Sequence, residues 1–362
     1  MATRAATWDY RDEHHERFAR TYFRAFSDCV VSSIGVGTYL GNPTDAADEG
    51  YHDAIVRALE SGVNVVDTAI NYRNQRSERV VGEAIADADV DREAVLVATK
   101  GGFVGFDGDR PDDPGRYVRD EYVEPGIVDR DDLAMGQHCI APDYIDDQLD
   151  RSLANLDLDT VDLYYVHNPE TQLGTQSRDA VYDQLEATFT RLEERADEGD
   201  IRHYGVATWE GFRVGSDHDN YLSLPEIVSR ARAASDRAGT DSTHLRAIQL
   251  PFNIYMADAF TVDSHEGAEG PQSALWFAND AGLDVFTSAS IMQGKLAAEM
   301  PGEVEAKLDG DTRAQRAINF ARSAPGVTSS LVGMGSPDHV AENVDAGTFE
   351  PLGADAFDTV FE

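Results

Sequence analysis

Cysteine and long apolar runs are scarce in this chain of 362 residues. Its two cysteines, Cys29 and Cys139, stand far apart in the sequence and by themselves make neither a disulfide framework nor a zinc site. No apolar run reaches about 18 residues, the length of a membrane-spanning helix, and the charged N-terminus lacks the apolar stretch of a signal peptide. The sequence therefore predicts a cytoplasmic protein without a metal site.

Positively charged residues are also scarce relative to negatively charged ones. Thirty Lys and Arg residues oppose 67 Asp and Glu residues, so the formal net charge is −37, and only Lys100, Lys295 and Lys307 are lysines. Such a surface repels phosphate backbones and anionic headgroups, which argues against nucleic acids and membranes as partners and favours a small molecule. Because salt screens this repulsion, the composition predicts a halophilic protein from a salt-rich cytoplasm. An acidic protein of an ordinary cytosol is the alternative.

Short β-branched runs alternate with amphipathic helical stretches from about residue 30 to residue 343. Pro142 is predicted to open one of these helices and Gly199 to end another. This alternation predicts an α/β fold, a single parallel (β/α)8 TIM barrel over residues 29–362. The eight candidate strands are VVSSIGVGT, VNVVDT, AVLVATK, VDLYYVH, RHYGVAT, RAIQLPF, LDVFTSA and TSSLVGMG.

Two segments interrupt this rhythm. Residues 1–28 precede the first strand and are predicted to form an N-terminal extension, either an arm or a plug at the bottom of the barrel. Residues 101–141 separate the third strand from its helix and are rich in Gly, Asp, Pro and Arg. Long loops in a barrel lie over the site or are disordered, so this one is predicted to be a lid or flap.

Reactive side chains stand at or near three successive strand ends, where barrel enzymes carry their catalytic residues. Asp67, Lys100 and His167 end predicted strands two, three and four, and Tyr72 follows Asp67 by five positions. Together these groups suit proton delivery to a carbonyl: Tyr72 is the acid, and Lys100 is expected to lower its pKa by stabilising the phenolate. Asp67 would keep Lys100 charged, and His167 would orient the substrate oxygen.

Nine stretches in order resemble the aldo-keto reductase superfamily: GVGTYLG, GVNVVDTAINY, SERVVGEAI, LVATK, DLYYVHNPE, IRHYGVATW, IQLPFN, SASIMQGKL and PGVTSSLVGMGSPDHVAEN. The resemblance implies a (β/α)8 barrel with Asp67, Tyr72, Lys100 and His167 as its catalytic tetrad. It also implies an oxidoreductase that transfers a hydride between NAD(P)H and an aldehyde or ketone, or the corresponding alcohol.

The resemblance assigns cofactor contacts residue by residue, with departures. Thr208 follows Ala207 where the family usually has Ser-Asn against the nicotinamide amide, and Ser288 stands where an aromatic ring commonly stacks on the nicotinamide. Gly333 and His339 occupy positions that often carry the cations for the 2′-phosphate of NADP. NADP is slightly favoured by the family, but discrimination from NAD is expected to be weak. The full set assigned to the cofactor is Thr38, Tyr39, Asp67, Thr208, Gln249, Ser288, Ala289, Ile291, Gly294, Gly333, His339, Glu342 and Asn343.

Other readings stay open at this point. A Schiff-base lyase would use Lys100 as a neutral amine, although a carboxylate at Asp67 would keep that amine protonated. A regulatory or redox-sensing barrel that binds the cofactor without significant turnover would explain the missing stacking ring. Arg73 and Arg76, in a loop after Tyr72, either line the cofactor or lid edge or pair with local acids. The sequence specifies neither the substrate nor the oligomeric state.

We expect the folded state to gain stability with KCl, because the Debye length falls to roughly 3 Å at 1 M and like charges then repel less. Thermal unfolding followed by circular dichroism, from about 0.1 M to about 3 M KCl, measures this gain. Sucrose serves as the control, since it stabilises folded proteins without screening charge. Full stability and activity in dilute buffer would contradict the halophilic interpretation.

Overall fold

A computed structural model describes residues 1–353 and 357–361 of the chain. The strands in these ranges are β1 (Phe23–Phe26), β2 (Cys29–Ser32), β3 (Ile34–Gly37), β4 (Val65–Asp67), β5 (Leu96–Gly101), β6 (Val161–His167), β7 (Ile201–Ala207), β8 (Leu245–Pro251), β9 (His265–Gly267), β10 (Gly270–Gln272), β11 (Asp284–Ser288) and β12 (Val327–Gly333). The α-helices are α1 (Arg4–His14), α2 (Asp45–Leu59), α3 (Arg76–Asp87), α4 (Pro114–Val118), α5 (Pro142–Leu156), α6 (Arg178–Glu198), α7 (Leu224–Ala238), α8 (Asp258–Thr261), α9 (Ala274–Ala281), α10 (Lys295–Ala298), α11 (Gly302–Glu305), α12 (Arg313–Ser323) and α13 (Pro337–Asp345). None of these helices is both long enough and apolar enough to cross a membrane.

Eight of the described strands close a parallel barrel in the order β3, β4, β5, β6, β7, β8, β11, β12, and β12 pairs back with β3. Parallel pairing needs long crossovers, and the helices supply them. The predicted (β/α)8 barrel is therefore confirmed. The helix that Pro142 opens is α5, and Gly199 ends α6 in a left-handed conformation with φ of 91°.

The first predicted strand, residues 30–38, is wrong in its extent. Ser33 separates β2, which pairs antiparallel with β1, from β3, which enters the barrel. Local polar bonds enforce the break: the Ser32 hydroxyl donates to the carbonyl of Ile34, and the Ser33 N–H donates to the carbonyl of Tyr22. An apolar run alone does not reveal that its two halves pair with different partners.

The β1–β2 hairpin lies against the amino-terminal end of the barrel, where β2 leads into β3. The Phe26 side chain is 2% exposed and its ring lies 5.7 Å from that of Phe286. It joins a buried cluster with the barrel-interior residues Val65, Leu96 and Leu163. The predicted division at residue 28 thus falls in the turn of a hairpin that packs on the barrel.

The segment 101–141 carries a small apolar core of its own. Val104, Val118, Tyr122 and Val128 are buried together with Tyr144 of α5. The segment contains α4 and a π-helical turn at Arg119–Val123. It begins with Gly101, the last residue of β5, so this core anchors the loop beside the carboxyl-terminal mouth of the barrel.

Candidate active site

Four polar side chains meet where β4, β5 and β6 end. The Lys100 ammonium donates from Nζ to Asp67 Oδ2 at 2.6 Å and to the carbonyl oxygen of Thr68 at 2.8 Å. The same Nζ lies 4.9 Å from the centre of the Tyr72 ring. The rings of Tyr72 and His167 are 6.0 Å apart between centroids. The structure thus brings together all four residues that the sequence analysis selected.

Strand geometry explains this convergence. Side chains two positions apart on a strand share a face, and Ala98 packs in the barrel interior, so Lys100 also points inward. Asp67 pairs in register with Ala98 on the neighbouring strand, which leaves the carboxylate within reach of the lysine. The Ile70 N–H donates to the carbonyl of Lys100 at 3.2 Å and ties the loop that carries Tyr72 to the end of β5.

Burial and pairing together set the protonation states. Burial lowers the pKa of Lys100, but Asp67 and Tyr72 outweigh that effect and raise the pKa, so the ammonium stays charged. Burial raises the pKa of Asp67, while Lys100 and Gln249 partly offset this. Burial and the Lys100 charge lower the pKa of His167 well below its ordinary value, so the imidazole is neutral.

The expected lowering of the Tyr72 pKa is wrong in its net direction. Lys100 does act to lower that pKa, but burial of the phenol raises it by more. Desolvation disfavours the phenolate, and the sequence does not reveal how dry the site is. Tyr72 therefore keeps its proton at neutral pH.

A second layer of contacts holds the tetrad in place. Gln249 Nε2 donates to Asp67 Oδ1 at 2.8 Å, which fixes the carboxylate from the side opposite Lys100. His138 is fully buried behind the site and its Nε2 donates to the carbonyl of His167 at 2.7 Å. Burial lowers the pKa of His138 to about 4, so it is neutral. Nothing in the local sequence of His138 predicts this positioning role.

Glu170 is another residue that the sequence analysis did not assign. Its Oε1 accepts the backbone N–H groups of Trp209 at 2.6 Å and Glu210 at 3.0 Å. Its Oε2 is buried without a hydrogen-bond partner in the described residues. This carboxylate therefore joins the loop after β6 to the loop after β7, which forms part of the cavity wall.

A cavity of about 480 Å³ opens beside the tetrad at the barrel mouth. Its wall includes Asp67, Tyr72 and His167, together with the aromatic side chains of Phe103 and Trp209. Nine residues that the resemblance assigned to the cofactor line the same cavity: Thr38, Tyr39, Asp67, Thr208, Gln249, Ser288, Ala289, Ile291 and Gly333.

The remaining four assigned residues lie outside this cavity wall. Gly294 precedes α10, and the other three, His339, Glu342 and Asn343, belong to α13. The Ser336 hydroxyl caps α13 by accepting the backbone N–H of His339 at 3.4 Å, and the His339 side chain is exposed. Their contact with a cofactor stays a prediction.

Several cavity residues escaped the sequence analysis. Asn71 and Asn168 line the wall, and each is the immediate neighbour of a tetrad residue. Leu40, Ser290 and Gln293 line it as well. Asn71 and Asn168 are the sequence neighbours of Tyr72 and His167, Ser290 and Gln293 belong to the SASIMQGKL stretch, and Leu40 belongs to GVGTYLG.

Arg73 and Arg76 pair with local acids, which was one of the two readings of the sequence. Arg73 Nη1 lies 2.8 Å from Asp48 Oδ1, and the Arg73 guanidinium lies 4.7 Å from the centre of the Tyr51 ring. Arg76 donates from Nε to Asp48 Oδ2 at 2.8 Å and also pairs with Asp45. Neither arginine lines the described cavity.

Solved structures with the same fold cover nearly the whole chain. An aldo-keto reductase of Bacillus halodurans in its holo form aligns over 94% of this chain and 95% of its own, with a TM-score of 0.64 and 21% identity. An aldo-keto reductase of Klebsiella pneumoniae in complex with NADPH aligns over 94% of both chains, with a TM-score of 0.62 and 18% identity. At these identities the likeness concerns the fold.

Two curated relatives match shorter segments. The uncharacterized oxidoreductase YqkF of Bacillus subtilis is 30% identical over 183 residues, which are 50% of this chain and 46% of that protein. The NADH-specific methylglyoxal reductase of Escherichia coli is 29% identical over 59% of this chain and 58% of its own length. The sequence model of the Aldo/keto reductase family matches residues 33–215, about half of the chain, and includes all four tetrad positions. The resemblance is thereby confirmed, and the chain belongs to the aldo/keto reductase family.

Proposed function

We propose that this protein is an NAD(P)H-dependent carbonyl reductase that also oxidises the corresponding alcohols. The observation that carries the proposal is the buried Lys100–Asp67 pair, with Nζ 2.6 Å from Oδ2, beside a protonated Tyr72 on the wall of a cavity. A phenol next to a fixed ammonium suits proton transfer to a carbonyl oxygen. Family membership, an oxidoreductase relative and neighbours of the same fold support it.

The cavity offers groups that suit a nicotinamide cofactor. Thr208 Oγ1 is buried without a hydrogen-bond partner in the described chain and stands on the wall with Gln249. Ala289, Met292 and Gln293 have positive φ angles, and turns of this kind can present backbone N–H groups to a pyrophosphate. A bound cofactor would supply the hydride that reduces the carbonyl carbon.

The tetrad residues would then divide the remaining work. Tyr72 donates its phenolic proton to the carbonyl oxygen as that oxygen gains charge, and Lys100 stabilises the phenolate that forms. Asp67 holds Lys100 at the depth where its charge acts on Tyr72. His167, neutral through burial, hydrogen-bonds the same oxygen and orients it. In alcohol oxidation the phenolate takes the proton back.

Neither alternative function is favoured over this one. A Schiff-base lyase needs a neutral lysine, whereas Lys100 is charged and bonded to Asp67. A regulatory barrel is supported by Ser288, which provides no stacking ring at the cavity, but it leaves the tetrad without a purpose. Tight NADPH binding without turnover of a broad aldehyde panel would favour it.

We propose further that residues 101–141 act as a lid, because Phe103 at their start lines the cavity.

We also propose that the protein works in a salt-rich cytoplasm, in keeping with its net charge of −37. Ion-pair clusters support this: Arg195 contacts Asp146 at 2.7 Å and Asp150 at 2.6 Å.

Tyr72→Phe removes the proton donor and keeps the ring, so we expect kcat for aldehyde reduction to fall about a thousandfold. The dissociation constant of NADPH, measured by fluorescence titration, should change by less than about threefold, because the phenolic oxygen is reserved for the substrate. Tyr255→Phe is the matched control, since Tyr255 is exposed and lies outside the described cavity wall. Undiminished turnover of Tyr72→Phe would remove the mechanism.

The pH profile follows from the raised pKa of Tyr72. The protonated phenol is the active form in reduction, and it persists at all pH values below its pKa. We therefore expect kcat to stay level from about pH 6 to about pH 9 and to fall only above the ordinary tyrosine value near 10. Stopped-flow reduction of a fixed aldehyde across this range measures the profile. A decline that begins below about pH 8 would mean that a different group delivers the proton.

Cofactor discrimination is expected to be weak, because Gly333 and His339 stand where the family often carries the cations for the 2′-phosphate, and His339 is exposed near the N-terminus of α13. The ratio of kcat/KM for NADPH and NADH should stay below about a hundredfold, equivalent to roughly 2.7 kcal/mol. Steady-state kinetics with one aldehyde and both reduced cofactors gives this ratio. A larger preference would show that the 2′-phosphate has a charged partner after all.

A further inference from the structure

A turn with unused backbone donors follows β11 and forms part of the cavity wall. Four of its N–H groups bond to no other backbone group in the described residues, namely those of Ala289, Ser290, Ile291 and Gln293. All four residues line the cavity. Backbone N–H groups need acceptors, and several of them in one turn suit an anion. The turn therefore fits the pyrophosphate of the proposed cofactor.

This turn has a backbone conformation that residues with a side chain rarely adopt. The φ angles of Ala289, Met292 and Gln293 are 54°, 51° and 54°. Such angles are unfavourable for any residue with a Cβ atom, so the turn depends on contacts from outside it. One of these contacts comes from β12, where the carbonyl of Leu331 accepts the Ser290 hydroxyl at 3.3 Å.

Asn253, in the loop after β8, supplies a second outside contact. It is fully buried, and its Nδ2 donates to the carbonyl of Ala289 at 3.0 Å. Its Oδ1 accepts the N–H groups of Tyr255 at 2.9 Å and Met256 at 3.1 Å. The two ends of the carboxamide thus have partners of the right kind, which fixes the amide nitrogen on Ala289. Asn253 itself lies outside the described cavity wall, so it acts on the turn and not on a ligand.

The bond to the Ala289 carbonyl also sets the direction of the next N–H group. A trans peptide is planar, and its C=O and N–H groups point in opposite directions. The Ala289 carbonyl accepts from Asn253 and also from the Met292 N–H at 2.8 Å, so the Ser290 N–H points away from Asn253. Since Ser290 lines the cavity and Asn253 does not, this orientation suits a donor directed at the cavity.

We propose that Asn253 is a positioning residue for the cofactor: it holds the turn of residues 289–293 in its binding conformation before the cofactor arrives. The inference rests on the proposed function and deepens it. Donors that are already ordered bind an anion more tightly than donors that lose their freedom on binding. Asn253 is therefore expected to act on the affinity for the pyrophosphate and not on proton transfer by Tyr72.

Asn253→Ser tests this role. The serine hydroxyl can still accept a backbone N–H from the residues that follow, but it is too short to reach the Ala289 carbonyl. We expect the dissociation constants of NADPH and ADP-ribose, measured by titration calorimetry, to rise at least about tenfold. ADP-ribose carries the pyrophosphate without the nicotinamide, so its binding reports on the turn apart from turnover. The value of kcat at saturating NADPH should change by less than about threefold.

Hydrogen exchange of the cofactor-free protein gives an independent readout. The Met292 N–H bonds to the carbonyl of Ala289, and the N–H groups of Gly294 and Leu296 bond to the carbonyl of Ile291 at 3.0 Å and 3.2 Å. If Asn253 holds the turn, its removal lets these bonds open more often. We expect the three N–H groups to exchange at least about tenfold faster in Asn253→Ser, as measured by mass spectrometry of a peptide that spans residues 288–296.

Asn64→Ser is the matched control. Asn64 is also fully buried, its Nδ2 donates to the carbonyls of Val30 and Ala94, and its Oδ1 accepts the N–H of Ser32. It precedes β4 at the amino-terminal end of the barrel and lies outside the described cavity wall. This substitution should lower Tm without changing either dissociation constant or the exchange of the turn.

Asn253→Asp is the second variant. It keeps the length of the side chain and the acceptor for the two N–H groups, and it replaces only the amide nitrogen that faces Ala289. Measurement in about 2 M KCl screens the added charge, and the losses should match those of Asn253→Ser. If Asn253→Ser does not fold, this variant decides the question.

The outcomes separate the two proposals. Unchanged dissociation constants in the Asn253 variants, with or without faster exchange, overturn the role of Asn253 and leave the reductase function standing. Equal losses in Asn64→Ser overturn it as well, because they would reflect general destabilisation. If the wild-type protein neither binds NADPH or NADH nor turns over any aldehyde, both proposals are overturned.

Discussion

The buried ion pair between Lys100 and Asp67 is the interaction on which the site depends. Removing two charges from water costs several kcal/mol per ion, and only close geometry with further hydrogen bonds recovers this cost. Here both conditions are met: Nζ lies 2.6 Å from Oδ2, Thr68 accepts a second bond from Nζ, and Gln249 donates to the other carboxylate oxygen. The barrel supplies this geometry through the register of β4 and β5. The fold therefore offsets the desolvation cost of burying the two charges.

The fixed positive charge of Lys100 lowers the pKa of both its neighbours, whereas burial raises the pKa of Tyr72 and lowers that of His167. It favours the phenolate of Tyr72 and disfavours the imidazolium of His167, while burial favours the neutral form of both. As a result, Tyr72 is a protonated phenol and His167 is a neutral imidazole. An acid and an uncharged hydrogen-bonding group thus coexist at neutral pH.

Much of this arrangement could be read from the sequence. Asp67, Lys100 and His167 stand at strand ends, parallel strands end at the same rim, and the convergence follows from these two facts. The break at Ser33 could not be read, because it depends on which strand each half of an apolar run pairs with. The net pKa shift of Tyr72 depends on burial, which arises from the packing of segments distant in the chain. Glu170 acts through the backbone N–H groups of Trp209 and Glu210, which only the folded chain brings beside it.

The β1–β2 hairpin makes the two ends of the barrel different: it covers the amino-terminal end, and the described cavity lies at the carboxyl-terminal end. Phe26 packs beneath the inward-facing side chains and the described cavity lies at the opposite rim, so the cofactor and the substrate of the proposed reaction would both enter there. Two molecules that share one entrance to a cavity of about 480 Å³ obstruct each other. In the proposed reaction, the molecule that binds deeper in the cavity would therefore have to arrive first and leave last.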